Sequence, residues 1–123
     1  MFKLSPNARN VSTTLRGAVC IAPHHLLKRF GPPSRASADN KVSGTYVFED
    51  NQGSTLMMYD WKATALYDGH PKANLPTVQA FWSSEEPAEF SVAGHRFVDL
   101  FEFAKWIGAI SLRLEGGYQW THI

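Results

Sequence analysis

The sequence predicts an α+β domain: an antiparallel sheet of about three to five strands, one long C-terminal helix packed across it, and a short N-terminal helix. Three observations lead there. Alternating and apolar runs between residues 15 and 62 are broken by strong turn chemistry at Asp50-Asn51-Gln52-Gly53. From Phe97 to Leu114, apolar residues recur near helical spacing. A 123-residue chain with 44% apolar residues is large enough to close one core and bury roughly two thirds of its unfolded surface.

Taken in order, residues 1–13 are polar and irregular and read as a flexible arm, leaving 14–123 as the single domain. Leu15 to Ala22 reads as a strand. Pro23 opens a helix, because its missing N–H has no partner in a first turn anyway, and Gly31-Pro32-Pro33 closes it. Leu26, Leu27 and Phe30 give that helix its buried face. Ser34 to Lys41 reads as a loop, Val42 to Glu49 as a strand, and Ser54 to Lys62 as the returning strand of a hairpin. Gly69, Pro71 and Pro76 make 68–77 a surface loop. A helical turn is expected at Gln79 to Trp82 and a strand at Glu89 to Ala93. The long helix over Phe97 to Leu114 rests on Phe97, Leu100, Phe101, Ala104, Ile107 and Leu112, weakened at Gly108 and ended by Gly116-Gly117. The tail keeps Tyr118, Trp120 and Ile123, which is apolar enough to pack on the domain or on a second copy.

Composition narrows the function. Twelve Lys and Arg against eleven Asp and Glu give a net charge of +1, which argues against nucleic-acid binding. The single cysteine, Cys20, excludes an internal disulfide and sits in an apolar run as an inert thiol. No apolar stretch reaches the length of a membrane span, and the N-terminus is a poor signal peptide, so the expected compartment is the cytoplasm. The five histidines show no metal-ligand spacing, and neither a phosphate-binding glycine loop nor a nucleophile elbow is present. No metal, cofactor or catalytic residue is implied.

Two segments carry ligand-binding potential. In Tyr59-Asp60-Trp61-Lys62, strand alternation puts Tyr59 and Trp61 on one face and Asp60 and Lys62 on the other. Such a strand is either amphipathic packing or a ligand wall, with rings stacking on a base, Lys62 meeting a phosphate and Asp60 accepting from a hydroxyl or amine. At Gly94-His95-Arg96, a glycine before the long helix either leaves backbone N–H groups for an anion, with His95 and Arg96 beside it, or simply makes a tight turn that needs glycine's φ. Tyr46 completes this set. With 13% aromatic residues, the chain also has rings to spare for binding surfaces.

The order Leu27-Lys28-Arg29-Phe30-Gly31-Pro32, Tyr46-Val47-Phe48-Glu49, Tyr59-Asp60-Trp61-Lys62 and Phe90-Ser91-Val92-Ala93-Gly94 resembles a family of small accessory proteins encoded in phage and prophage genomes. The resemblance covers roughly residues 15–110, and the Tyr-Asp-Trp-Lys tetrapeptide is its most specific piece. It departs at Ser91, where those proteins often carry His, and at Ala93, where they carry Gly. Accessory proteins of this kind are often counter-defence factors. The resemblance therefore implies a host bacterial cytoplasm and a protein that sequesters a nucleotide-like immune signal without chemistry. Two other functions are compatible with the residues. One is an inhibitor that covers a host defence protein through Trp82, Trp106, Tyr118 and Trp120. The other is a small hydrolase using His95 or His24 with Asp60 or Asp99. A homo-oligomer is expected, with the ligand site near a subunit boundary, because so short a chain has little room for an enclosed cavity.

Overall fold

The computed structural model describes residues 1–6, 13–35, 41–67 and 74–123. Its organising element is the hairpin of β3 (Thr45–Glu49) and β4 (Thr55–Tyr59). Asp50 builds the turn: its Oδ1 accepts from the N–H of Gln52 and of Ser54, both at 2.9 Å, and Gly53 supplies the left-handed φ of 77°. Around it the described residues form one antiparallel sheet of seven strands in the order β1-β3-β4-β5-β2-β6-β7. The other strands are β1 (Lys3–Leu4), β2 (Thr14–Ile21), β5 (Ala88–Gly94), β6 (Ser111–Leu114) and β7 (Thr121–His122). Lys3 and Leu4, within the segment that reads as an arm, pair with Glu49 and Phe48.

Among the described residues three short helices, α1 (Pro23–Phe30), α2 (Val78–Trp82) and α3 (Leu100–Ile107), accompany the sheet. They seal one of its faces. Tyr46 and Phe48 of β3, Leu56 and Met58 of β4, Phe90 and Val92 of β5, and Val19 and Ile21 of β2 are buried there with Leu26, Phe81, Trp82, Phe103, Ala104 and Ile107 from the helices. Ring contacts join the layers: Phe48 meets Phe30 and Phe103 at centroid distances of 5.2 and 5.3 Å, and Phe90 meets Trp82 at 5.5 Å. Phe2, just before β1, packs edge-on to Phe103.

The expected α+β architecture, with three to five strands and one long C-terminal helix, is therefore corrected to a mostly β fold, with seven strands and three short helices among the described residues. The helix predicted over Phe97 to Leu114 is eight residues long. Asp99 caps its start by accepting from Glu102 N–H at 3.1 Å. Gly108 stops it in the left-handed conformation, φ 86° and ψ 26°, with its N–H on the carbonyls of Ala104 and Lys105. Ile110 N–H then donates to Cys20 O, and the chain continues as β6 against β2. Leu112 and Leu114 fit a two-residue period as well as a helical one, so spacing alone does not separate the two. The loop expected at 68–77 lies outside the described residues at 68–73.

Candidate functional site

The sheet face opposite the helices carries a row of side chains running across four strands. The register aligns Val47 of β3 with Met57 of β4, Met57 with Ala93 of β5, and Ala93 with Leu15 of β2. Pleating sends all four away from the helices. The next row pairs Thr45 with Tyr59 and Tyr59 with Ser91. A groove of about 830 Å³ runs along these rows, floored by Leu15, Val47, Met57 and Ala93, with Tyr59 and Trp61 at one end. It reaches the edge of β3, where Tyr46 and Phe30 also line it.

The strand expected to run to Lys62 ends at Tyr59, so the alternation stops short: Lys62, expected on the face of Asp60, turns outward with φ 56° and is exposed beside Trp61. Asp60 points inward and is fully enclosed, at 0% exposure. Its Oδ1 accepts from the backbone N–H of Ser43 and of Gly44, each at 2.9 Å, and its Oδ2 accepts from Ser43 Oγ at 2.7 Å. Ser43 Oγ in turn accepts from Trp82 Nε1 at 2.9 Å. This relay ties α2, the approach to β3 and the end of β4 together, so Asp60 is committed to the fold and does not meet a ligand. Tyr59 and Trp61 point outward, edge to face with ring centroids 6.4 Å apart, and Trp61 is 47% exposed.

Two ammonium groups flank Trp61. Lys62 Nζ lies 5.6 Å and Lys41 Nζ 5.8 Å from its ring centroid, both in cation–π range. Lys62 Nζ is also 5.2 Å from the ring of Tyr67. Burial pushes the Tyr59 hydroxyl above its ordinary pKa, and the charge of Glu115 adds to the rise, so Tyr59 remains a neutral hydroxyl at physiological pH. Tyr46 is held from the other side of β3. Its hydroxyl donates to Gly31 O at 2.6 Å, and burial raises its pKa strongly.

His95 and Arg96 do not join this cluster. His95 Nδ1 accepts from Thr55 N–H at 3.0 Å, at the opposite end of β4 from Trp61, which lies six residues further on. Extended chain of that length spans roughly 20 Å. Arg96 lies over the ring of Phe97, 4.8 Å from its centroid. Asp60, enclosed by Ser43 and Gly44, is not available as the carboxylate of a histidine-based hydrolase, while Asp99 accepts from Glu102 N–H through one oxygen at the start of α3. Among the described residues no three His, Cys, Asp or Glu side chains come together to hold a metal ion, and His70 lies outside them. Sequence reasoning missed Lys41, because its approach to Trp61 depends on a long-range contact in which Lys62 N–H donates to Lys41 O at 2.6 Å. No local pattern around residue 41 encodes that contact.

Of the aromatics that read as anchors for a partner protein, Trp82 is buried in the relay to Asp60, and Trp106 packs among Phe2, Phe30, Phe48 and Phe103. Tyr118 and Trp120 are exposed, the former at 96%. Among the described residues no helix is long and apolar enough to cross a membrane. No protein-family model matches the chain, and the search of curated proteins finds no match.

Proposed function

We propose that this chain is a non-enzymatic binding protein for a nucleotide-like anion, held at the Trp61 end of the groove. One observation carries the reading: a half-exposed indole at the mouth of an apolar groove, with an ammonium group from Lys41 and another from Lys62 beside it. An aromatic face takes a planar base, and lysine beside it takes a phosphate. The enclosure of Asp60 and the separation of His95 from the cluster favour holding a ligand over cleaving it. The resemblance to phage accessory proteins gives this binding its biological sense: sequestration of a host immune nucleotide in the bacterial cytoplasm, by a homo-oligomer.

Titration of the purified protein with a nucleotide panel, monitored by tryptophan fluorescence and calorimetry, tests the reading. Trp61→Ala is expected to weaken binding at least about tenfold, equivalent to ~1.4 kcal/mol. Its melting temperature should stay close to that of the wild type, because the ring is half exposed. Wild-type affinity in Trp61→Ala would remove the site. Native mass spectrometry of the same samples reports subunit count and whether the nucleotide returns unaltered. A second reading, an inhibitor that covers a host protein, is favoured by the exposed side chains of Ile110, Leu114, Tyr118, Trp120 and Ile123 near the C-terminus. It predicts capture of one host protein that a Tyr118→Ala, Trp120→Ala double variant no longer holds.

A further inference from the structure

The cationic end of the groove contains a backbone conformation that lysine does not favour. Lys62 has φ 56°, and among the described residues it is the one non-glycine residue with positive φ. L side chains crowd their own backbone there, and glycine or asparagine is the usual occupant. The conformation has two fixed points behind it. Asp60 is locked inside the fold by Ser43 and Gly44, and Lys62 N–H is tied to Lys41 O. The chain must turn sharply out of β4 between them. Glycine would make this turn with less strain, so the lysine side chain adds nothing the turn requires.

Its contribution is a charge at a defined place. Lys62 Nζ is within cation–π range of both Trp61 and Tyr67, 5.6 and 5.2 Å from their ring centroids. Among the described residues no carboxylate forms an ion pair with it. The two rings orient the ammonium without neutralising it, which leaves its charge for an anion beside the indole face.

We infer that Lys62 is the specificity-determining residue of the groove, selecting ligands that carry a phosphate next to a planar base over the same base without one. The inference rests on the nucleotide reading of the groove. It deepens that reading by assigning the discrimination to one side chain.

AMP and adenosine, used as probes in calorimetric titrations, share a base and differ in the phosphate. Wild-type protein is expected to bind AMP more tightly. Lys62→Asn suits the left-handed backbone and removes the charge. It should melt at or above the wild-type temperature, and its affinity for AMP should fall about tenfold toward that for adenosine. Lys62→Arg should keep the preference, and Trp61→Ala should lose both probes. If Lys62→Asn retains the preference while Trp61→Ala loses both probes, the role of Lys62 is overturned and the groove stands. If Trp61→Ala binds both as the wild type does, or the wild type binds neither at millimolar concentration, the groove reading falls and takes this inference with it.

Discussion

Asp60 holds three donors in a space closed to water. Its replacement by Asn keeps the volume but presents an amide N–H₂ toward at least one of those donors. Hydrogen bonds to a charged acceptor are stronger than neutral ones, and an orphaned buried donor carries its full desolvation cost. Asp60→Asn should therefore lower unfolding free energy by about 3 kcal/mol and the melting temperature by roughly 10 °C, read from chemical and thermal denaturation. Trp61, its neighbour, should be nearly silent in the same assay. Tyr46 gives a pH signature. Burial raises its folded-state pKa above the unfolded value of about 10. The native state then binds the phenolic proton more tightly than the unfolded chain does. The associated stability is fully present below about pH 10 and is lost as pH rises toward the folded pKa. Tyr46→Phe should flatten that alkaline decline in denaturation series run above about pH 9, while losing the bond to Gly31 O at neutral pH. At this scale the sequence is informative about residue type and silent about direction. The Tyr-Asp-Trp alternation is visible, but nothing local tells which of the two faces is closed, or that β4 ends before Lys62. The fate of Asp60 is decided by Ser43, Gly44 and Trp82, all sixteen or more residues away.

Elements are legible where one or two residues impose the geometry. Pro23 and Gly31 bracket α1 as expected, and Asp50 with Gly53 makes the β3–β4 turn. The failure at the C-terminal helix has an equally local cause, because Gly108 reads as a weak helix residue and is a stop. A glycine within a run of apolar residues is compatible with both, and the residues after it make the choice. Ala109 is buried, and Ile110 N–H reaches Cys20 O, so the chain is drawn onto β2. Gly108→Ala would place a Cβ in a left-handed residue, 3.5 Å from His25 Nε2, where space is adequate and the backbone is not. The expected cost is about 1 kcal/mol, with β6 and the end of α3 losing hydrogen-exchange protection first. The short strands β1 and β7 are illegible for a different reason. Two residues are too few to show any period, and each is a strand only because an edge is waiting for it.

At the scale of the molecule, the sheet is asymmetric. Three helices close one face, and the other presents the Val47–Met57–Ala93–Leu15 row that floors the groove. This asymmetry explains why the candidate site is only half readable in the sequence. The aromatic end comes from one tetrapeptide, whereas the floor is assembled from four strands that are far apart along the chain. It also separates residues grouped in the sequence reading: His95 and Arg96 sit at one end of β4 and Trp61 with Lys62 at the other. The strand order has a further effect, on synthesis. Both sheet neighbours of β2, β5 and β6, lie C-terminal to residue 87. A ribosome adding roughly 5–20 residues per second leaves Ala18-Val19-Cys20-Ile21 without its strand partners for several seconds after it is made. During that interval the strand that will lie between β5 and β6 is an apolar, β-prone segment in the nascent chain. A strand whose Val19 and Ile21 end in the core thus spends its first seconds open to association with other chains.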